Sequence, residues 1–338
     1  PYLGKGEFYL EYGSFDVEVT APREFVVVGT GRLQNEAQVL TETQRRRLRE
    51  ARNSSETVHV IREDEAGDPS TRPSGQGPLT WRFRADSVRD FAWAASEAFV
   101  WDAASWEDVL IMSAYPREGL GAGEEPGWER STRMLRHSVS YYSEQWEHYP
   151  YPVAINVAGR AQGMEYPMVF FVSAGARGED LLGTTDHEVA HSWFPMLVGS
   201  DERRHHWMDE GLVTFMSLYA TRAYRGEGGS VADSAFADRT AALTEKLRGR
   251  LPILTLSDRF TGTGYAATGY RKAGWGLVLL REVVLGPERF DPALREYIER
   301  WSYRHPGPAD FFRTMEDVAG EELDWFWQGW FDGTQTLD

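Results

Sequence analysis

The sequence predicts a mixed α+β protein in which strands come first and a block of helices follows. Three observations carry that expectation. Short alternating or β-branched runs occupy residues 8–30 and 58–102. Helical periodicity dominates after residue 184. The 33 glycines and 16 prolines fall mostly between these segments, where turn chemistry requires them. Strands followed by helices are the pattern of an α+β fold.

The elements read in order as follows. Phe15, Val17 and Val19 alternate with Asp16, Glu18 and Thr20, so one face of this strand is apolar. Phe25-Val26-Val27-Val28 forms a second run, ended by Gly29 to Gly31. Residues 41–52 read as a short charged helix, and its basic run Arg45-Arg46-Arg47 with Arg49 reads as a solvated face. Val58 to Ile61 is a strand, residues 62–79 an exposed loop of Asp, Gly, Pro, Ser and Thr, and Trp81 to Arg84 and Phe99 to Asp102 further strands. The first 85 residues are too little for a complete domain and look like the end of a β-sandwich. The pattern changes character near Asp86, which places a boundary there, with 1–85 as the C-terminal part of a β domain and 86–338 as a second domain.

In the second part, residues 127–148 form an amphipathic helical pattern, and Val153 to Val157 and Met168 to Val172 read as strands. Helices are expected over 184–198, 205–223, 231–248, 268–285, 287–304 and 308–319, with Gly286-Pro287 as a stop and start.

Bulk properties narrow the function classes. Lys plus Arg number 36 against 52 Asp plus Glu, a formal net charge of −16 that would repel a phosphate backbone and argues against a nucleic-acid partner. There is no cysteine, which removes disulfides, thiolate metal ligands and cysteine nucleophiles together. No apolar stretch is long enough for a membrane-spanning helix. A chain opening on Pro1 without a charged-then-apolar leader is expected to have lost upstream residues. The compartment stays open between export and cytoplasm, as does the oligomeric state.

The strongest chemical signal is His187-Glu188-Val189-Ala190-His191. Residues four apart share a helix face, so both imidazoles can reach one zinc ion. Glu188 lies beside that ion, where a carboxylate can take a proton from an attacking water. A catalytic zinc needs a third protein ligand and one open position. Glu210, in Trp207-Met208-Asp209-Glu210-Gly211, follows His191 after eighteen intervening residues and supplies it. Pro195 and Gly199 can end the first helix, and a second can carry Glu210 back. A bare match of this kind also occurs by chance on helix surfaces. The spaced Glu210, the apolar Val189, Ala190, Trp193 and Phe194, and the placement of six of the eight histidines between 137 and 206 favour the metal. His205 and His206 are rival ligands, with a polar loop surface over 200–206 as the simpler reading. Asp209 reads equally as an acceptor for a ligand imidazole or as a first-turn helix acid.

Four blocks resemble the M1 family of zinc aminopeptidases, the gluzincins that also include leukotriene A4 hydrolase. Gly163-Met164-Glu165-Tyr166 is similar to the family's GxMEN motif, His187 to Trp193 to HExxHxW, Trp207 to Gly211 to WxNEG, and Tyr270-Arg271-Lys272-Ala273 to YxKG. The order and spacing agree over more than 100 residues. The resemblance implies a thermolysin-like catalytic domain over 86–338, preceded by the last strands of a saddle-like β domain. The closing segment Asp324 to Phe331 resembles a bacterial branch.

The resemblance also implies roles. One catalytic Zn2+ is held by His187, His191 and Glu210, with Glu188 as general base. Tyr270 donates a hydrogen bond to the tetrahedral oxyanion. Glu165 binds the free α-amino group of a peptide substrate, and Gly163 and Met164 let a strand edge approach its backbone. Tyr166 and Asp209 stand where the family more often has Asn, and neither change removes a charged catalytic group. A further amine-binding residue of the family comes from its N-terminal domain, so missing residues are expected to complete the cleft. Arg117, Arg160 and Arg177 are candidate substrate contacts, with surface placement the simpler reading. Rival readings are an endopeptidase or epoxide hydrolase of the same fold, and a zinc-containing binding protein without turnover.

Overall fold

The structure, a computed structural model, describes residues 7–121, 123, 125–227, 230–232, 236–247, 251–260 and 264–334. The chain divides into two compact units. One comprises Glu11–Glu144 and His148–Ser192, and the other Pro1–Leu10, Gln145–Glu147 and Trp193–Asp338.

The first unit holds every strand among the described residues. These are β1 (Gly13–Ala21), β2 (Val26–Gly29), β3 (Arg32–Leu33), β4 (Val58–Ile61), β5 (Leu79–Val88), β6 (Trp93–Ser96), β7 (Val100–Trp106), β8 (Val109–Tyr115), β9 (Val153–Gly159), β10 (Gly163–Tyr166) and β11 (Val169–Ser173). β1, β5 and β3 form an antiparallel sheet in the order β1-β5-β3, with Val17 opposite Phe83 and Val19 opposite Trp81. β2 pairs with β6. Strand β5 is continuous through Asp86.

The six-stranded sheet has the order β10-β11-β9-β8-β7-β4. Its centre is parallel, β8 to β9 and β9 to β11, and its flanks are antiparallel. β8 was not anticipated from the sequence. All seven of its residues are buried, so it lacks the alternation that betrays a half-exposed strand. β10, which carries the Gly163 to Tyr166 block, lies at the sheet edge.

Two sequence expectations in this unit need correction. The helix Glu42–Ala51 forms, with Thr41 and Gln44 closing a reciprocal cap, but Arg47 is not on a solvated face. It is buried and donates two hydrogen bonds to Glu65, at 2.5 and 2.8 Å, and one to the Val60 carbonyl. Residues 44, 47, 48 and 51 form the buried stripe, a helical period hidden inside a basic run. The segment 62–79 contains short 3₁₀ turns at Glu63–Glu65 and Pro69–Thr71 and then a buried Arg72. Arg72 binds the carbonyls of Glu24 and Glu97, so this loop is fastened at its middle.

In the second unit the longer helices among the described residues are Trp207–Tyr224, Phe236–Leu247, a composite over 266–285, Pro287–Trp301 and Pro308–Ala319. The composite begins as a π-helix (Ala266–Lys272), continues as an α-helix (Ala273–Leu279) and ends as a second π-helix (Leu280–Leu285). Gly286, at φ 80°, separates it from Pro287, the first residue of the next helix. Aromatic rings close the core around Trp207. Phe311, Phe312 and Phe331 lie 4.9–5.9 Å from its centroid, and Trp327 stacks on Phe312 at 4.4 Å.

Candidate functional site

The His187 helix runs Gly178–Ala190, with Glu179 and Asp180 complementing its N-terminus. It starts and stops earlier than the expected 184–198. Pro195 lacks an N–H and does not permit continuation, and residues 191–197 form turns instead. The helix is registered on the sheet by buried polar contacts immediately before the motif. Asn156 of β9 donates to Thr185 Oγ1 and to Ser131 Oγ, each at 2.9 Å. Asp186 accepts from Ser138 Oγ at 2.5 Å, and its carbonyl accepts from the Tyr142 hydroxyl at 2.8 Å. Both amide hydrogens of the buried Asn156 are thus used to register the helix on the sheet.

Within this unit the structure brings six sequence-selected residues together. The Nε2 atoms of His187 and His191 are 3.3 Å apart, with the rings nearly perpendicular at 87°. Two nitrogens bound at ~2.0–2.1 Å to one tetrahedral ion lie about 3.3–3.4 Å apart, so this pair fits the edge of a zinc site. Glu165 Oε2 is 3.9 Å from His191 Nε2. Glu188, buried, lies against Gly163, because a Cβ added at residue 163 would overlap its Oε1. A side chain at residue 163 would displace the Glu188 carboxylate where β10 passes it. The hairpin that presents Glu165 is tethered at its turn, where the buried Thr30 hydroxyl donates to the Pro167 carbonyl at 2.8 Å. Met164 is half-buried beside it on β10.

The second unit brings together Glu210 and Tyr270. Glu210 sits in the first turn of Trp207–Tyr224, and Tyr270 lies in the π-helical stretch Ala266–Lys272. The Tyr270 hydroxyl donates a short hydrogen bond to Glu210 Oε1. Small residues allow this approach. A Cβ on Gly211 would come within 2.6 Å of Ala273 Cβ, and one on Gly274 within 2.8 Å of Thr214 Cγ2. Burial, then the Glu210 charge, pushes the Tyr270 phenol far above its ordinary range, so it stays a donor.

The reading of 200–206 as loop surface is overturned. Glu202–His205 is a short helix, and Ser200, Glu202 and His206 are each 1% exposed or less. Burial pushes the His206 imidazole down to about 4, so its ring is neutral. Neither His205 nor His206 belongs to a cluster of three or more potential ligands among the described residues. Asp209 is fully buried in the first turn of its helix. Arg177 spends its guanidinium on the carbonyls of Ala174, Ala176 and Glu118, and Arg117 reaches the Ala66 carbonyl. The packing of His206 on Gly269 was not legible in the sequence, where no local pattern links residues 63 positions apart.

Comparison with known proteins adds a match to a family model over part of the chain. Residues 170–330 match the family model for the peptidase family M1 domain. The chain is 27% identical over 153 residues to aminopeptidase M1-D of Oryza sativa subsp. japonica, an alignment spanning 45% of this chain and 17% of that protein. It is 24% identical over 242 residues to a leukotriene A-4 hydrolase homolog of Botryotinia fuckeliana, spanning 65% of this chain and 36% of that one. The crystal structure of an M1 zinc metallopeptidase from Deinococcus radiodurans superposes with a TM-score of 0.69 at 17% identity, over 98% of this chain and 66% of that one. The fold is thus that of a mixed α and β M1 metallopeptidase. The chain spans well under half the length of these two curated relatives. Among the described residues, no helix is long and apolar enough to cross a membrane.

Proposed function

We propose, from the match of residues 170–330 to the peptidase family M1 domain and the likeness to M1 aminopeptidases, that this chain is the catalytic part of a zinc aminopeptidase. In this reading His187, His191 and Glu210 hold one zinc ion. The observation that carries it is the 3.3 Å approach of two imidazole nitrogens on one turn of helix. A carboxylate is the fitting third donor, and two imidazoles with one carboxylate leave the ion with net positive charge.

Bound zinc would supply acidification of water and polarisation of a carbonyl. The remaining chemistry belongs to side chains. Glu188 takes a proton from the attacking water and returns it to the departing amine nitrogen. Its carboxylate fills the space that a side chain at Gly163 would take. Tyr270 remains protonated and offers its hydroxyl to the developing oxyanion, exchanging the partner it has in Glu210. Glu165, on the edge strand and 3.9 Å from His191 Nε2, pairs with the substrate α-ammonium, while Gly163 and Met164 flank the substrate backbone.

The substrates are peptides with a free N-terminus. The test compares a free dipeptide with its N-acetylated form. Strong preference for the free amine supports the reading. Equal rates on both would reject Glu165 as the amine anchor and leave an endopeptidase. Stoichiometric zinc without hydrolysis of any peptide would leave a binding protein.

A further inference from the structure

We propose that His206 is a positioning residue that fixes Tyr270 by packing into the space left by Gly269; this rests on the reading of Tyr270 as the oxyanion donor. The His206 ring stands where a side chain on residue 269 would have to be. A Cβ added there would overlap Nε2 and Cδ2 and come within 2.8 Å of Cε1. The ring is itself held on its other sides. Tyr265 stacks on it at 4.1 Å and 15°, Phe260 meets it edge-on at 5.0 Å, and Ser257 Oγ lies 3.3 Å from Nδ1. Ser257 in turn donates to the Glu202 carbonyl at 2.9 Å.

His206 therefore contacts the backbone beside each partner of the Tyr270–Glu210 hydrogen bond. Its carbonyl accepts from Glu210 N at 2.9 Å, which opens the helix bearing the carboxylate. Its ring abuts the residue immediately before Tyr270. Tyr270 also lies in a π-helical stretch, whose wider turn is a less regular platform than an α-helix. A rigid, fully buried ring against a glycine supplies the missing constraint. A displacement of ~1 Å in a catalytic group costs on the order of 10²-fold in rate, so a packing contact one residue away is kinetically visible.

The experiment uses the whole chain with G269A, H206A, H206A/G269A, Y270F and G269A/Y270F. It measures kcat and KM on a free-amine peptide, zinc content and thermal melting. G269A is expected to lower kcat by ~10–10²-fold with KM changed less than about twofold and zinc retained. In H206A/G269A the methyl has room, and kcat should return to within about threefold of H206A alone. With Tyr270→Phe already in place, G269A should lower kcat by less than about twofold. If G269A does not fold, H206A with and without Y270F carries the test. It loosens the same contact without adding atoms, and its ~10-fold loss should likewise vanish in the Y270F background.

A kcat loss of equal size in the presence and absence of Y270F would overturn the proposal, as would H206A/G269A falling more than about threefold below H206A alone. A wild-type chain that binds zinc and cleaves no free-amine peptide would instead overturn the functional reading beneath it.

Discussion

His187 and His191 present their Nε2 atoms to each other at 3.3 Å, from adjacent turns of one helix end. As a hydrogen bond this contact is long and uses only one proton. As the edge of a tetrahedral metal site it has the right length. The helix is pinned to the β-sheet through Asn156 and Thr185 two residues before the first imidazole, so the spacing is built in by buried polar contacts rather than by loops.

Replacement of Glu188 by Gln is expected to leave zinc content unchanged and to lower kcat by ~10²–10⁴. Steady-state kinetics with metal analysis on the same preparation checks it. Near-normal turnover would remove Glu188 from its role as base.

Replacement of Tyr270 by Phe deletes the hydroxyl that binds Glu210. The expected loss is ~10²–10³ in kcat with little change in KM, the signature of a contact made in the transition state. A rise in KM at constant kcat would point to a substrate-binding role instead.

Gly163→Ala places a methyl against Glu188 Oε1. Glu188 must move, and kcat should fall by roughly 10²-fold while zinc stays bound. Restoration of the rate by shortening the acid, in Gly163→Ala with Glu188→Asp, is not expected, because the shorter carboxylate would miss the water. Unchanged kcat in the single variant would show that Glu188 has freedom the packing denies.

His59 Nδ1 lies 2.6 Å from Asp102 Oδ1, and the buried Asp102 also accepts from the Tyr115 hydroxyl at 2.6 Å. The hydrogen bond to Asp102 raises the His59 pKa. A histidine raised on folding contributes stability that is fully present below its unfolded value of about 6.5 and is lost as pH rises through the folded value. The melting-temperature difference between wild type and His59→Gln should therefore be larger at pH 5.5 than at pH 9. A difference that grows with pH would contradict the ion pair.

Much of the helical block was legible because its signals are local. The i, i+4 histidines and the Gly286-Pro287 stop and start each need only a few neighbouring residues. What the sequence concealed depends on distant packing. β8 is buried on both faces and so carries no alternation. Arg47 is buried because Glu65 and the Val60 carbonyl meet it, which no helix-surface argument foresees. The π-helical turns around Tyr270 have no periodic signature at all, and the fit of His206 to Gly269 appears only once the turn at His206 packs against the π-helix.

The most direct test of the account is zinc content, measured by elemental analysis on wild type and on His187→Ala, His191→Ala and Glu210→Gln after dialysis against a weak chelator. One zinc per wild-type chain, with loss in each variant and folding retained by circular dichroism, is the predicted result. Equal zinc in all four proteins, or none in the wild type after zinc loading, would contradict it.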